Sequence, residues 1–251
     1  MIKTNYGFKQ EGKSNFIIVA PHASGDDIGT KVLIRDDIGT GELAKRIADK
    51  IEAYFVINTQ YERNTLDNQF SFPLDFNRLP IINGKYRWDE VHPHLAEFYK
   101  DILDFIGKEN SNGKKVAIAY IHGMKNHSDK TGIDIGAGVK YDYVNGLKIL
   151  KGANGENKHP DSNQNFGVIR VNRAQIEEFR SILELKLREK NDFSVEIGKY
   201  HPAWFEKNGI QFHKGTENSS FQIELIPELR KKENIDFISS IIAGSLRSVY
   251  I

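Results

Sequence analysis

Two histidines close short apolar runs in this chain. Pro21-His22 follows Phe16-Ile-Ile-Val-Ala20, and His122 ends Val116-Ala-Ile-Ala-Tyr-Ile121. In open α/β sheets ligands bind beyond the carboxyl ends of the strands, which is where both imidazoles fall. Four acids, Asp26, Asp27, Asp36 and Asp37, follow His22 closely. Two imidazoles and one carboxylate are a donor set for catalytic zinc, which takes three protein ligands at about 2.0–2.2 Å and keeps a position open for water. The metal brings the pKa of that water to about 7, and a further carboxylate that is not a ligand takes its proton. Alternation along Phe221-Gln-Ile-Glu-Leu-Ile226 puts Gln222 and Glu224 on one face of a strand that reaches the same sheet edge. Each residue also has a plainer reading. A lone strand-end histidine is commonly a structural hydrogen-bonding group, and an acid in an alternating strand commonly faces solvent. Asp37, just before a helix, suits an N-terminal cap as well as it suits a metal.

Arginine adds a second chemistry. Its planar fork matches a carboxylate bidentately. Arg63 follows the strand that ends near Asn58, and Arg78 closes the segment Asp75-Phe-Asn-Arg78. The plainer reading of either is a solvated surface charge. Phe70, Phe72, Pro73, Leu74 and Leu79-Pro80 surround the second segment, so an arginine among them is expected to have a partner. His92 and His94 flank Pro93 at a helix start, and with His127 and His159 they are read as surface or helix-end residues. His127 lies in the loop after His122 and could approach it; His201 and His213 are weaker candidates for a supporting role around the site.

The elements that would carry these side chains follow from periodicity. Asn15–His22 reads as a buried strand ending at a turn. Leu43, Ala44, Ile47, Ala48 and Ile51 recur at helical spacing within Gly41–Ile51, with Thr40 as N-cap. Ala53–Asn58 reads as the next strand, completing the βαβ pattern of a parallel sheet. Helices are expected over His94–Ile106, Arg173–Lys190 and Asn234–Tyr250. Strands are expected over Val116–His122, Val168–Val171, Phe193–Ile197 and Phe221–Ile226. Lys151–Asn165 is polar and reads as a loop. Nothing resembles a dividing linker, so residues 1–251 are expected to form one domain.

Composition narrows the function. The chain has 251 residues, 35 Lys+Arg against 34 Asp+Glu, and a formal net charge of +1. A nucleic-acid binder usually carries a basic excess, so that class is set aside. With no cysteine there is no disulfide, thiolate zinc site or cysteine nucleophile. Met1–Asn15 is polar and lacks the apolar run of a signal peptide, and no apolar stretch has the length of a membrane span. The expectation is a soluble cytoplasmic protein with no membrane partner.

Taken in order, strand-Pro21-His22, Asp37 before a helix, Arg63 with Asp75-x-Asn77-Arg78, strand-end His122 and Gln222-x-Glu224 resemble the N-formylglutamate amidohydrolase family. More remotely they resemble the zinc carboxypeptidases and poly-γ-glutamate hydrolases. The resemblance runs from about Phe16 to Arg230. It implies an α/β fold, a three-layer αβα sandwich around a mixed, mostly parallel sheet, phosphorylase/hydrolase-like as in the zinc carboxypeptidases. It implies Zn2+ held by His22, Asp37 and His122. Asp37-Ile-Gly-Thr40-Gly-Glu-Leu43-Ala44 fits the family's acid-before-helix pattern better than Asp27, which remains the rival. It further implies Glu224 as general base, and Arg63, Asn77 and Arg78 as substrate-binding groups, with Arg63 also stabilising the oxyanion. The sequence departs from the family at Tyr120 and Gly123, where an acid and a serine usually stand.

The activity so implied is hydrolysis of an amide next to a carboxylate, in a small N-formyl- or N-acyl-glutamate or a γ-glutamyl-type short peptide. Its competitor is a non-catalytic, metal-free protein that binds an acidic ligand on the same fold.

Overall fold

The computed structural model describes residues 1–24, 37–62, 69–70, 74–82, 85–144, 147–152, 171–203, 207–213 and 219–250. The elements are β1 (Ile2–Lys3), β2 (Gly7–Gln10), β3 (Phe16–Ala20), α1 (Thr40–Ile51), β4 (Tyr54–Asn58), β5 (Ile81–Ile82), β6 (Lys85–Tyr86), α2 (Pro93–Ser111) and β7 (Ala117–Gly123). They continue with β8 (Thr131–Gly136), β9 (Val139–Val144), β10 (Leu147–Gly152), α3 (Arg173–Leu187), β11 (Ser194–Ile197), β12 (Ser219–Leu225) and α4 (Lys232–Tyr250).

Eight strands form one sheet in the order β1-β2-β4-β3-β7-β12-β8-β11. The central strands β4, β3, β7 and β12 are parallel. At one flank β2 is antiparallel to β4; at the other β8 is antiparallel to β12 and parallel to β11. Alternation divides the side chains into two cores. Phe16, Ile18 and Ala20 pack on the side of Leu43, Ala44 and Ile47 of α1, Phe179 and Leu183 of α3, and Ile238 and Ile242 of α4. Ile17 and Val19 pack on the other side with Leu95, Phe98 and Ile102 of α2. All five residues of β3 are therefore buried, as a strand covered on both faces requires. This is a three-layer αβα arrangement around a mixed, mostly parallel sheet.

The helix starts differ in detail from the sequence reading. Thr40 is the first helical residue of α1, and Gly39 is its N-cap, at φ 89° and without a side-chain cap. A Cβ on Gly39 would lie 2.6 Å from the Arg230 carbonyl oxygen, so both the left-handed backbone and the space demand glycine. His92 caps α2 by accepting from the His94 N–H, with Pro93 at the first helical position. Asn172 caps α3 by accepting from Ala174 and Gln175.

Strand β8 and the antiparallel hairpin β9–β10 are additions to the expected elements. The expected loop at Lys151 begins instead inside β10, where Lys151 pairs with Lys140. Residues 153–170, with His159 and most of the expected strand Val168–Val171, lie outside the described residues. Among the described residues no helix is long and apolar enough to cross a membrane.

Candidate metal centre

The parallel register of β3 and β7 sets Val19 opposite Tyr120. His22, just past the end of β3, therefore rises beside His122 near the end of β7. The Asn58 side-chain amide donates to the Pro21 carbonyl at 2.7 Å and to the Tyr61 carbonyl at 2.8 Å, which fixes the turn carrying His22. The two imidazole centroids are 5.1 Å apart, and both residues are buried.

Asp37 reaches the pair from the turn before α1. Its backbone is left-handed, φ 56°, a conformation aspartate tolerates better than most residues. Its carbonyl accepts from the Thr40 N–H at 3.0 Å, so the backbone serves the helix start while the carboxylate points elsewhere. Asp37 Oδ2 lies 3.4 Å from His22 Nδ1 and 3.4 Å from His122 Nδ1. These separations exceed the 2.7–2.9 Å of a charge-assisted hydrogen bond. They match instead the edge of a tetrahedron about a zinc ion, roughly 3.3–3.4 Å for ligand distances of about 2.05 Å. His22, Asp37 and His122 form a group whose donor atoms all lie within 4.8 Å of one another. The donor set and its spacing fit the metal implied by the sequence.

Behind His22 stands Asp75, which is buried. Asp75 Oδ1 is 2.8 Å from His22 Nε2 and accepts from the Asn77 N–H at 2.9 Å. In the neutral ring, an Nε2–H donated to Asp75 leaves the Nδ1 lone pair facing Asp37, the tautomer a metal ligand needs. Burial pushes the His22 pKa down, but the Asp37 and Asp75 carboxylates outweigh it and lift the ring to about 9. For Asp37 burial works upward, and the imidazoles of His122 and His22 overcome it, holding the carboxyl far below its ordinary range.

Glu224 pairs in register with His122 across β12 and β7. It is only 6% exposed, so the solvent-facing alternative for this acid fails. Gln222 Nε2 donates to Glu224 Oε1 at 3.0 Å, and His201 Nδ1 lies 3.9 Å from the same oxygen. His201 is held from below by Asp134 on β8, which is fully buried and in register with Glu224. The Asp134 carboxylate accepts from the N–H groups of Lys199 (3.0 Å), Tyr200 (2.7 Å) and His201 (2.7 Å). A buried carboxylate needs such compensation, and here it also locks the turn beside the site. A Cβ on Gly136 would come within 2.3 Å of the His201 carbonyl oxygen, so β8 meets that turn at a glycine.

Asn77 and Arg78 emerge from the turn that Asp75 begins. Asn77 is half-buried and Arg78 is exposed, so the partner expected from the apolar flanks of Arg78 is not forced by burial. The Arg78 backbone forms an isolated antiparallel β-bridge with that of Asn208, whose side-chain amide donates to Gln222 Oε1 at 3.2 Å. This links the turn to the strand of Glu224. Arg63, the rival Asp27, and Asp26 and Asp36 lie outside the described residues. His127 stacks on Tyr200, with ring centroids 3.5 Å apart. Sequence reasoning placed Asp75 in an anion-binding segment but missed its contact with His22. It also gave Asp134 no role. The available signal for both was an acid set among apolar or glycine residues, where burial demands a partner.

No protein-family model matches the chain. No curated protein matches it by sequence. Solved structures do match. A gene product of Agrobacterium tumefaciens, Atu2144, superposes with a TM-score of 0.58 at 13% identity, over 96% of this chain and 94% of that one. The N-formylglutamate amidohydrolase of Ralstonia eutropha JMP134 superposes with a TM-score of 0.54 at 11% identity, over 94% of this chain and 92% of that one. In fold, the chain resembles these proteins.

Proposed function

We propose that the protein is a zinc-dependent amidohydrolase that cleaves an amide next to a carboxylate, such as an N-formyl- or N-acyl-glutamate or a γ-glutamyl-type peptide. The observation that carries this reading is the spacing of His22 Nδ1, Asp37 Oδ2 and His122 Nδ1 beside buried Glu224. The N-formylglutamate amidohydrolase of Ralstonia eutropha on the same fold supports the choice of reaction class.

His22, Asp37 and His122 would hold the ion. Zinc at that place would supply Lewis acidity toward a carbonyl oxygen and would acidify water. Glu224, buried and bonded to Gln222, would take a proton from the attacking water and return it to the leaving nitrogen. Asn77 and Arg78 would orient the substrate carboxylate, as would Arg63, which is also assigned the developing oxyanion. Asp75 would hold His22 in the ligating tautomer once the ring is neutral.

A screen of N-acyl-amino acids and γ-glutamyl peptides with zinc-loaded protein tests the reading. Release of glutamate that stops with chelator and returns with zinc is the expected result. Tight binding of such ligands without turnover, by protein carrying no zinc, favours the metal-free binder instead.

A further inference from the structure

Asp37 stands in the turn that leads into α1, with its carboxylate mostly buried. A ligand there needs something to hold it. Arg230 lies under that turn. It stands at the end of the short 3-10 turn Pro227–Arg230, which follows β12 and leads into α4. Arg230 Nη1 donates to the carbonyl of Ile38, the residue after Asp37. Arg230 Nε donates to the Leu225 carbonyl at 3.1 Å, at the end of the strand that carries Glu224. One guanidinium therefore ties the Asp37 turn to the Glu224 strand.

Two glycines record how closely these parts fit. A Cβ on Gly123, one residue after His122, would lie 2.6 Å from Arg230 Cζ, 2.7 Å from Nη2 and 2.8 Å from Asp37 Oδ1. The guanidinium and the carboxylate thus both border the bare Cα that follows a candidate ligand. Gly39 packs against the Arg230 backbone and Cβ, the contacts lying at 2.6 and 3.1 Å from its absent Cβ. This explains Gly123 physically: the Cβ of a serine there would collide with the Arg230 guanidinium and with the Asp37 carboxylate.

We propose that Arg230 is the positioning residue that holds Asp37 in its ligating posture, through a guanidinium seated on Gly123. The proposal rests on the zinc reading above. Supporting partners of metal ligands typically contribute about 10–100-fold to metal affinity. A planar fork that serves the Ile38 and Leu225 carbonyls is not replaced by an ammonium, which is a point charge.

The test is zinc affinity by competition with a chromophoric chelator, on metal-free protein whose fold is verified by circular dichroism. Co2+ substitution and visible absorption report the ligand geometry. Arg230→Met is expected to raise the zinc Kd by about 10–100-fold and to alter the Co2+ spectrum, with Arg230→Lys recovering only part of the affinity. Gly123→Ala keeps Arg230 but puts a methyl where its guanidinium sits, loosening its hold on the Ile38 carbonyl, and is expected to weaken zinc in the same direction. A folded Arg230→Met protein whose zinc Kd and Co2+ spectrum match wild type overturns the proposal while the zinc reading stands. If Arg230→Met does not fold, wild-type affinity in both Arg230→Lys and Gly123→Ala overturns it equally. Wild-type protein that binds no zinc overturns the reading and the proposal together.

Discussion

Asp75→Asn perturbs the centre through a single bond. The carboxylate sits 2.8 Å from His22 Nε2, and the substitution keeps its shape while removing its charge. Loss of such a partner is expected to cost about 10–100-fold in zinc affinity, or roughly 1.4–2.7 kcal/mol. A second effect runs the other way. Burial lowers the His22 pKa, but Asp37 and Asp75 together carry it to about 9. At pH 7.5 zinc must therefore displace a proton from the ring. Removing Asp75 eases that displacement, so part of the affinity loss is hidden below pH 9. The defect of Asp75→Asn should thus widen between pH 6.5 and 9. Chelator-competition titrations at pH 6.5, 7.5 and 9 read this directly. Equal affinities at pH 9, or a defect that shrinks as pH rises, would refute the reasoning.

Three further outcomes follow from the same geometry. Glu224→Gln should retain zinc and lose about 10²–10⁴-fold in kcat, measured by steady-state turnover of a cleavable N-acyl-glutamate beside metal analysis; undiminished turnover removes Glu224 from the role of base. The raised pKa of His22 makes metal-free protein most stable below pH 6.5 and progressively less so as pH climbs through about 9, by on the order of 3 kcal/mol. Thermal melts of the chelated protein across that range should therefore fall, and melts that rise would contradict it. Asp134→Asn leaves the N–H groups of residues 199–201 short of an acceptor and should destabilise the protein by about 1–3 kcal/mol in denaturant titrations.

The parts of the fold that sequence could reveal are those whose burial is uniform. Residues 16–20 are apolar without interruption because β3 is covered on both faces. Helix α1 shows its buried stripe of Leu43, Ala44, Ile47, Ala48 and Ile51 at regular spacing. Strand β8 is equally buried, yet Thr131-Gly-Ile-Asp-Ile-Gly136 does not look it. Its glycines are set by neighbours, Phe193 against Gly132 and His201 against Gly136, and its aspartate by three backbone donors distant in sequence. The site divides the same way. His22, Asp37, His122 and Glu224 stand out because reactive groups follow apolar runs or precede a helix. Asp75 and Arg230 act through contacts with residues 53 and 192 positions away, and no local spacing encodes those. Thr40 misled because an N-cap preference is weaker than the demand of Gly39 for a left-handed backbone against Arg230.

The most direct measurement is zinc stoichiometry by elemental analysis after reconstitution and removal of loosely held metal. One zinc per chain in wild type, absent from His22→Ala and His122→Ala proteins that remain folded, is the predicted result. A wild-type chain without zinc, or full zinc in both folded variants, would contradict the account.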